Sequence, residues 1–271
     1  MEEDISWKLR IEHKGFSHIC MHWIHGFIHI DPSRETKEHC IILLLAPTPQ
    51  RIVATAEMIQ KGKKIVVVAA QEIIDWLSKF GSFEGYVDEY SQNGLHIALT
   101  PYEEFPAWRW PESLERLRAA IQSPIPVLKR VISKWKLPKS MPRVAKITFP
   151  SGATLVHLNL ALHKDQDPNW IQAFATQCGE VNWILAGMDH HQSKAFSQNL
   201  SFFKSPLILV TDLLNDTRKA IGLPTQWLTP TVDELLNSFH QKSTKQMAFA
   251  FAPHASFRFN NINLMASQER K

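Results

Sequence analysis

The chain has 271 residues, of which 44% are hydrophobic and 21% charged, and it carries a formal net charge of +4 at pH 7. This length allows one large domain or two small ones, and the composition is that of a globular protein, not a disordered or fibrous one. No apolar run approaches the roughly 20 residues a membrane span requires, and the opening MEEDISWKLR lacks the basic and apolar regions of a secretory signal. We therefore expect a soluble, cytoplasmic protein. Cys20, Cys40 and Cys178 are scattered without CxxC spacing, which points to reduced buried thiols and away from disulfides or a thiolate metal site.

In chain order, FSHICMHWIHGFIHI holds His18, His22, His25 and His29. In one extended strand His18 and His22 would share a face, and His25 and His29 the other. Their spacing lacks the signature of a known metal site, so ordinary strand histidines are expected. Phe27–Ile30 reads as a strand entering Asp31-Pro32. The apolar run Ile41 to Leu45 reads as a buried strand that stops at Ala46-Pro47-Thr48-Pro49, and a helix over Ile52–Ile59 ends near Gly62. Ile65–Ala69 is a second buried run, followed by a helix over Glu72–Phe80 and a strand over Leu95–Leu99. Ala145–Phe149 and Thr154–Leu160 read as a hairpin about Pro150-Ser151-Gly152. Then come a helix over Trp170–Cys178, a strand over Val181–Leu185, a helix over Lys194–Phe203 and a strand over Leu207–Val210. A helix over Thr231–Phe239 precedes a closing pair of strands, Met247–Phe251 and Ser256–Phe259, around Pro253. The pattern is α/β with two strand-rich halves separated by a basic segment, and with no internal sequence repeat.

Charge is concentrated between Arg109 and Lys146. Ten lysines and arginines there face only Glu112 and Glu115, a local balance of +8, which leaves −4 for the remainder. Apolar residues at helical spacing, broken by Pro124 and Pro126, predict two short amphipathic helices with basic outer faces. Such a face, represented by Arg116, Lys129, Arg130 and Lys134, is either simply solvated or a surface for nucleic acid, anionic lipid or a phosphorylated ligand. The sequence contains no GxSxG elbow, Walker-type GxxxxGK or GxGxxG turn.

The order of these features resembles the metallo-β-lactamase fold, in particular its lactonase-like branch of metal-dependent hydrolases. Lys14-Gly15-Phe16-Ser17 is similar to that family's early glycine turn, and FIHIDP, ending in Asp31-Pro32, to its strand-ending Asp-Pro. Ile41–Arg51 stands in the place of its His-x-His-x-Asp-His strand and loop. Thr148 to Asn159 resembles the hairpin ending at a metal-bridging Asp, Val181 to Asp189 the following strand, Pro206 to Asp212 the strand before its last His, and Ala248 to Phe259 its terminal strand pair. The resemblance implies a single domain over 1–271, built as a four-layer αββα sandwich, with a basic helical insertion at 101–146.

The departures from that family bear on function. The first two histidines become Ala46 and Thr48, and the Asp-His pair becomes Gln50-Arg51. Asn159 stands for the bridging Asp. TPYEEF supplies Glu103 and Glu104 in place of a histidine, and the last ligand falls at Thr211-Asp212. A zinc hydrolase needs clustered imidazoles and a carboxylate, while Arg51 brings a positive charge of its own. We therefore expect no metal or other cofactor at the family's usual position. The candidate cleft comprises Asp31, Thr48, Gln50, Arg51, Asn159, Asp189, His190 and Asp212, with His157 and His163 flanking Asn159.

Three functional readings follow. The first is a non-catalytic or repurposed binding protein for an anionic ligand or a protein partner. The second is a hydrolase with zinc or another divalent metal at a non-standard site drawn from Glu103, Glu104, Asp189, His190 or Asp212. The third is a nucleic-acid-binding protein related to the nuclease branches of the fold.

Overall fold

The computed structural model describes residues 8–15, 18–33, 35–36, 39–45, 49–102, 138, 140–159, 161–162, 166–187, 193–211, 236, 246–251, 254–260 and 266–269. Strands β1 (Lys8–His13), β2 (Ile19–Trp23) and β3 (Gly26–Ile30) form an antiparallel meander. Then β4 (Cys40–Leu43), helix α1 (Pro49–Gln60), β5 (Ile65–Ala69), helix α2 (Gln71–Leu77) and β6 (Glu84–Val87) follow, with the three strands parallel to β3 and to one another.

The second half repeats this plan without repeating the sequence. Strands β7 (Glu89–Gln92), β8 (Leu95–Pro101), β9 (Arg143–Thr148) and β10 (Thr154–Asn159) are antiparallel. Helix α3 (Pro168–Cys178), β11 (Trp183–Gly187), helix α4 (Ser193–Leu200), β12 (Leu207–Thr211) and β13 (Met247–Ala250) complete it with parallel pairings. The chain then crosses to the first sheet, where β14 (Ser256–Asn260) pairs with β1 and β15 (Ala266–Glu269) pairs with β14. The result is an eight-stranded sheet ordered β15-β14-β1-β2-β3-β4-β5-β6 and a seven-stranded sheet ordered β13-β12-β11-β10-β9-β8-β7.

Three apolar clusters give the layers. Alternate residues of the two sheets, among them Ile11, Met21, Ile30 and Leu43 from the first and Ile97, Ile147, Leu155 and Leu209 from the second, share one core between the sheets. The other face of β4 and β5 packs Ile42 and Val67 against Ile52 and Ile59 of α1 and Trp76 of α2. The other face of the second sheet packs Val156, Ile184 and Ile208 against Ile171 and Phe174 of α3 and Phe196 and Leu200 of α4. Strands buried on both sides explain the near-continuous apolar runs of β4, β5, β11 and β12. The architecture is the expected four-layer αββα sandwich.

Several local expectations need correction. Met247–Phe251 and Ser256–Phe259 are not a mutually paired hairpin, because β13 belongs to the second sheet and β14 to the first. The strand expected at Val181–Leu185 runs over Trp183–Gly187. The basic segment does not divide the two halves: β7 and β8 precede it yet belong to the second sheet, and Pro101 is paired with Arg143. The helix expected over Thr231–Phe239 lies, apart from Leu236, outside the described residues. The histidines of FSHICMHWIHGFIHI do not lie on one strand, since a tight turn at Ile24-His25 folds β3 back on β2 and puts His22 and His29 on the same face.

The β7–β8 hairpin turns on Asn93 (φ 51°) and Gly94 (φ 75°), the left-handed pair that a two-residue turn needs. A Cβ on Gly94 would also lie 3.1 Å from the Pro150 side chain. Gly94→Ala is expected to lower stability by about 1–2 kcal/mol, read as a shift of the urea midpoint. An unchanged midpoint would show that the turn tolerates the substitution.

Candidate functional site

Both halves of the sandwich change from antiparallel meander to parallel crossover at a residue with positive φ. In the first half it is Asp31, after β3, and in the second it is Asn159, at the end of β10. Each has φ 48° and is 2% exposed. Asn and Asp tolerate this backbone region better than other side-chain-bearing residues. The two positions correspond in the two halves and mark the end of the sandwich to which Ala46–Arg51 leads.

Asp31 joins the elements there. Its amide donates to the Leu43 carbonyl at 2.8 Å, and its Oδ1 accepts from the Leu45 amide at 2.8 Å, so it holds the exit of β4 at two points. Its Oδ2 lies 3.0 Å from Nη1 of Arg51, with side-chain exposures of 1% for Arg51 and 2% for Asp31. Arg51 is in the first turn of α1, two residues after Pro49, whose fixed φ and missing N–H suit a helix start. A buried guanidinium needs a carboxylate partner and further hydrogen bonding, and the β4–α1 connection delivers Arg51 to one.

Two buried imidazoles stand beside this pair. His13 follows Leu9 and Ile11 on the inner face of β1, and His157 follows Leu155 on the inner face of β10. Burial, then the Arg51 charge, pushes His157 down to about 3. Burial, then the charge of His254, pushes His13 down to about 4. Nδ1 of His157 accepts from the Asn159 amide at 3.2 Å, and Nδ1 of His13 accepts from the Gly15 amide at 3.0 Å. These bonds assign the proton of each neutral ring to Nε2. The chain crossing between the sheets covers His13: the His254 amide donates to its carbonyl, and Phe251 meets its ring edge-on at 5.4 Å.

The rim continues to β9. The Arg143 amide donates to the Leu45 carbonyl at 2.7 Å, while its guanidinium grips Asp88 through Nε at 2.6 Å and Nη2 at 3.2 Å. The end of β4 therefore touches the residue at which the chain returns from the basic segment. A cavity of about 280 Å³ opens at the opposite, hairpin end, lined by Trp23, Phe149, Trp183 and Phe259. Its apolar walls offer little to an anion.

The structure thus brings Asp31, Arg51 and Asn159 to one end of the sandwich. Gln50 belongs to the first turn of α1, but its side chain is outside the described residues. Thr48, Asp189, His190 and Asp212 lie outside them altogether, as do Glu103, Glu104, His163 and the basic residues Arg116, Lys129, Arg130 and Lys134. His13 escaped the sequence reading, although the alternation Leu9-Ile11-His13 is the signal that puts it on the inner face. Among the described residues the donor set does not fit a metal cation at Arg51. The position is held by a positive charge, the Asp31 oxygens serve Arg51 and Leu45, and the imidazole lone pairs of His13 and His157 are engaged by backbone amides.

The chain is similar to a solved structure described as a possible metal-dependent hydrolase from Veillonella parvula DSM 2008, at 8% identity over 91% of this chain and 98% of that one, with a TM-score of 0.55. It is also similar to a metallo-β-lactamase of Cronobacter sakazakii with a HARLDQ motif, at 10% identity over 65% of this chain and 75% of that one, with a TM-score of 0.33. No family model and no curated protein matches it. With the two sheets described above, the likeness defines an α/β sandwich of the metallo-β-lactamase type.

Two outcomes follow from this geometry. Arg51→Met leaves Asp31 buried without its ion-pair partner and is expected to cost about 3–5 kcal/mol. Asp31→Asn added to it recovers part of the loss, measured as a coupling in a double-mutant cycle. The histidines give an acid-side dependence. Both have folded values below the unfolded value near 6.5, so the unfolded chain binds protons the folded chain excludes. Their contribution is complete above about pH 6.5 and is lost as the pH falls toward 4 for His13 and 3 for His157. Each contributes a slope of up to about 1.4 kcal/mol per pH unit in that window. The urea midpoint is expected to fall between pH 7 and pH 4, and His157→Gln to flatten that fall; an identical slope in the variant would rule His157 out as its source.

Proposed function

We propose that this chain uses the sandwich as a non-catalytic binding protein for an anionic ligand or partner, with the Arg51–Asp31 pair in the structural role that a metal centre fills in hydrolases of this fold. One observation carries the reading. The guanidinium of Arg51 is 1% exposed and paired with Asp31 at 3.0 Å, directly after the strand whose loop resembles the His-x-His-x-Asp-His position. A buried permanent cation there opposes a divalent ion by charge and by volume, whereas the hydrolytic chemistry of the fold depends on such an ion.

The anionic preference is supported by where the basic segment begins and ends. Its +8 charge lies between Arg109 and Lys146, and β8 and β9, which bracket most of it, meet at Pro101 and Arg143. Arg143 in turn is bonded through its amide to Leu45, the residue before the cleft loop. The segment is therefore rooted at the rim of the cleft, where its charge would raise the local concentration of an anion.

Two measurements test the reading. In crystals soaked with zinc, anomalous scattering is expected to give no peak between Asp31, His157 and Asn159, and the zinc-loaded chain should show no hydrolysis of ester, lactone or phosphodiester probes above background. A peak there accompanied by turnover would overturn the proposal in favour of a hydrolase. On immobilised heparin, the full chain should be retained at low salt and released steeply as salt rises. The quadruple change of Arg116, Lys129, Arg130 and Lys134 to Gln should weaken retention and lower the salt slope by up to about 4. Passage of the unmodified chain without retention would remove the anionic partner.

A further inference from the structure

The outer face of the first sheet brings together side chains that neither the fold nor the cleft uses. Glu12 of β1 is paired with Cys20 of β2, and Cys20 with His29 of β3. His22 lies two residues along β2 from Cys20 and so projects from the same face, opposite to the inner Ile19 and Met21. Ligand atoms of Glu12, Cys20 and His22 all fall within 4.8 Å of one another. Among the described residues this is the one group of three or more His, Cys, Asp or Glu so arranged.

We propose that Glu12, Cys20 and His22 form a three-donor site for a zinc-class divalent cation, with the His29 ring beside the Cys20 sulfur as a supporting contact. The chemistry of the set is specific. A thiolate, an imidazole and a carboxylate are the donors zinc takes in tetrahedral sites, with bonds of about 2.0–2.3 Å. Two donors on such an ion stand about 3.3–3.8 Å apart. His22 Nε2 and Glu12 Oε2 are already 3.5 Å apart, inside that range. Nε2 of His22 is buried and faces the Glu12 carboxylate.

A supporting layer stands behind the donors. His29 Nδ1 is hydrogen-bonded to His18 Nε2 at 2.9 Å, with His18 3% exposed. That contact fixes the His29 ring with its other nitrogen toward the sulfur, the role a second layer plays around metal ligands. The donors come from two adjacent strands held by a backbone ladder, so little chain entropy is lost on binding. Arg10 and Lys14 both contact the Glu12 carboxylate, which balances its charge without a metal. On binding, the Cys20 thiol releases its proton to solvent and its sulfur takes the metal. The Lys14 ammonium, 36% exposed, leaves Glu12 Oε2 for water, and Arg10 keeps Oε1.

Cobalt(II) tests this, because a thiolate ligand gives a sulfur-to-cobalt charge-transfer band in the near ultraviolet and tetrahedral geometry gives intense visible bands. The full reduced chain, titrated at neutral pH, is expected to bind one cobalt with both signatures and to release it to added zinc. His22→Ala should weaken binding at least tenfold, and Lys14→Ala, which removes the competing cation, should strengthen it. Cys20→Ala should abolish the charge-transfer band, whereas Cys40→Ala and Cys178→Ala should leave it. Neither His22→Ala nor Lys14→Ala alters the buried sulfur, so the test stands even if Cys20→Ala does not fold. No saturable cobalt binding would overturn the proposal, as would a band unaffected by His22→Ala and Lys14→Ala. In zinc-soaked crystals the anomalous peak belongs at Cys20; its absence there would overturn this site and leave the cleft reading standing, which falls only to a peak between Asp31, His157 and Asn159 accompanied by turnover.

Discussion

A guanidinium with 1% exposure is tolerable only where a carboxylate and hydrogen-bond acceptors have already been positioned for it, and Asp31 meets that condition in this fold. The pair spans three elements. Asp31 ends β3, its backbone and side chain fasten Leu43 and Leu45 at the end of β4, and Arg51 begins α1. Two hydrogen bonds and one ion pair thus set the angle at which the chain leaves the first sheet for its covering helix. The Arg51 charge then reaches across to the second sheet, where it helps to keep His157 neutral. The tie between these elements is a fixed pair of opposite charges.

The two halves of the sandwich show why this end is where polar groups gather. Each half runs an antiparallel meander into parallel crossovers, and each must turn out of its sheet at the junction. Asp31 and Asn159 meet that demand with the same φ of 48°. Their side chains then point chemistry at the junction: the carboxylate holds a cation, while the amide cannot bring a second negative charge. One acidic and one neutral junction residue leave room for one buried positive charge, which is Arg51.

Much of the fold was legible from residue pattern. Ile65–Ala69 and the run from Ile41 are strands buried on both faces, and their short length, bounding turns and β-branched residues are what distinguish such continuous apolar runs from helix. The same continuity hides register. An apolar run carries no alternation to fix its ends, and the strand expected from Val181 therefore begins two residues later, at Trp183. Sheet membership was not legible at all for Met247–Phe251 and Ser256–Phe259. Both read as strands, but only long-range pairing with β12 and β1 decides that they separate. At the cleft, Arg51 stood out because it departs from a resembled motif, whereas His13 resembles any polar strand end until its neighbours bury it. The histidine faces were misjudged because a two-residue turn at Ile24-His25 reverses the chain where a single strand was assumed.

The crossing from β13 to β14 also has a kinetic meaning. β1 leaves the ribosome well before β14, its neighbour on one side, and register pairs such as Ile11 to Phe257 close a long loop. Contacts this distant in sequence slow folding, because the closure entropy is lost before the pairing is gained. Until β14 arrives, β1 presents an open edge and an inner face of Leu9 and Ile11 that only its antiparallel partner β2 stabilises. During synthesis that unpaired edge is exposed to wrong strand partners, and at about 5–20 residues per second it waits on the order of 10–50 s for β14.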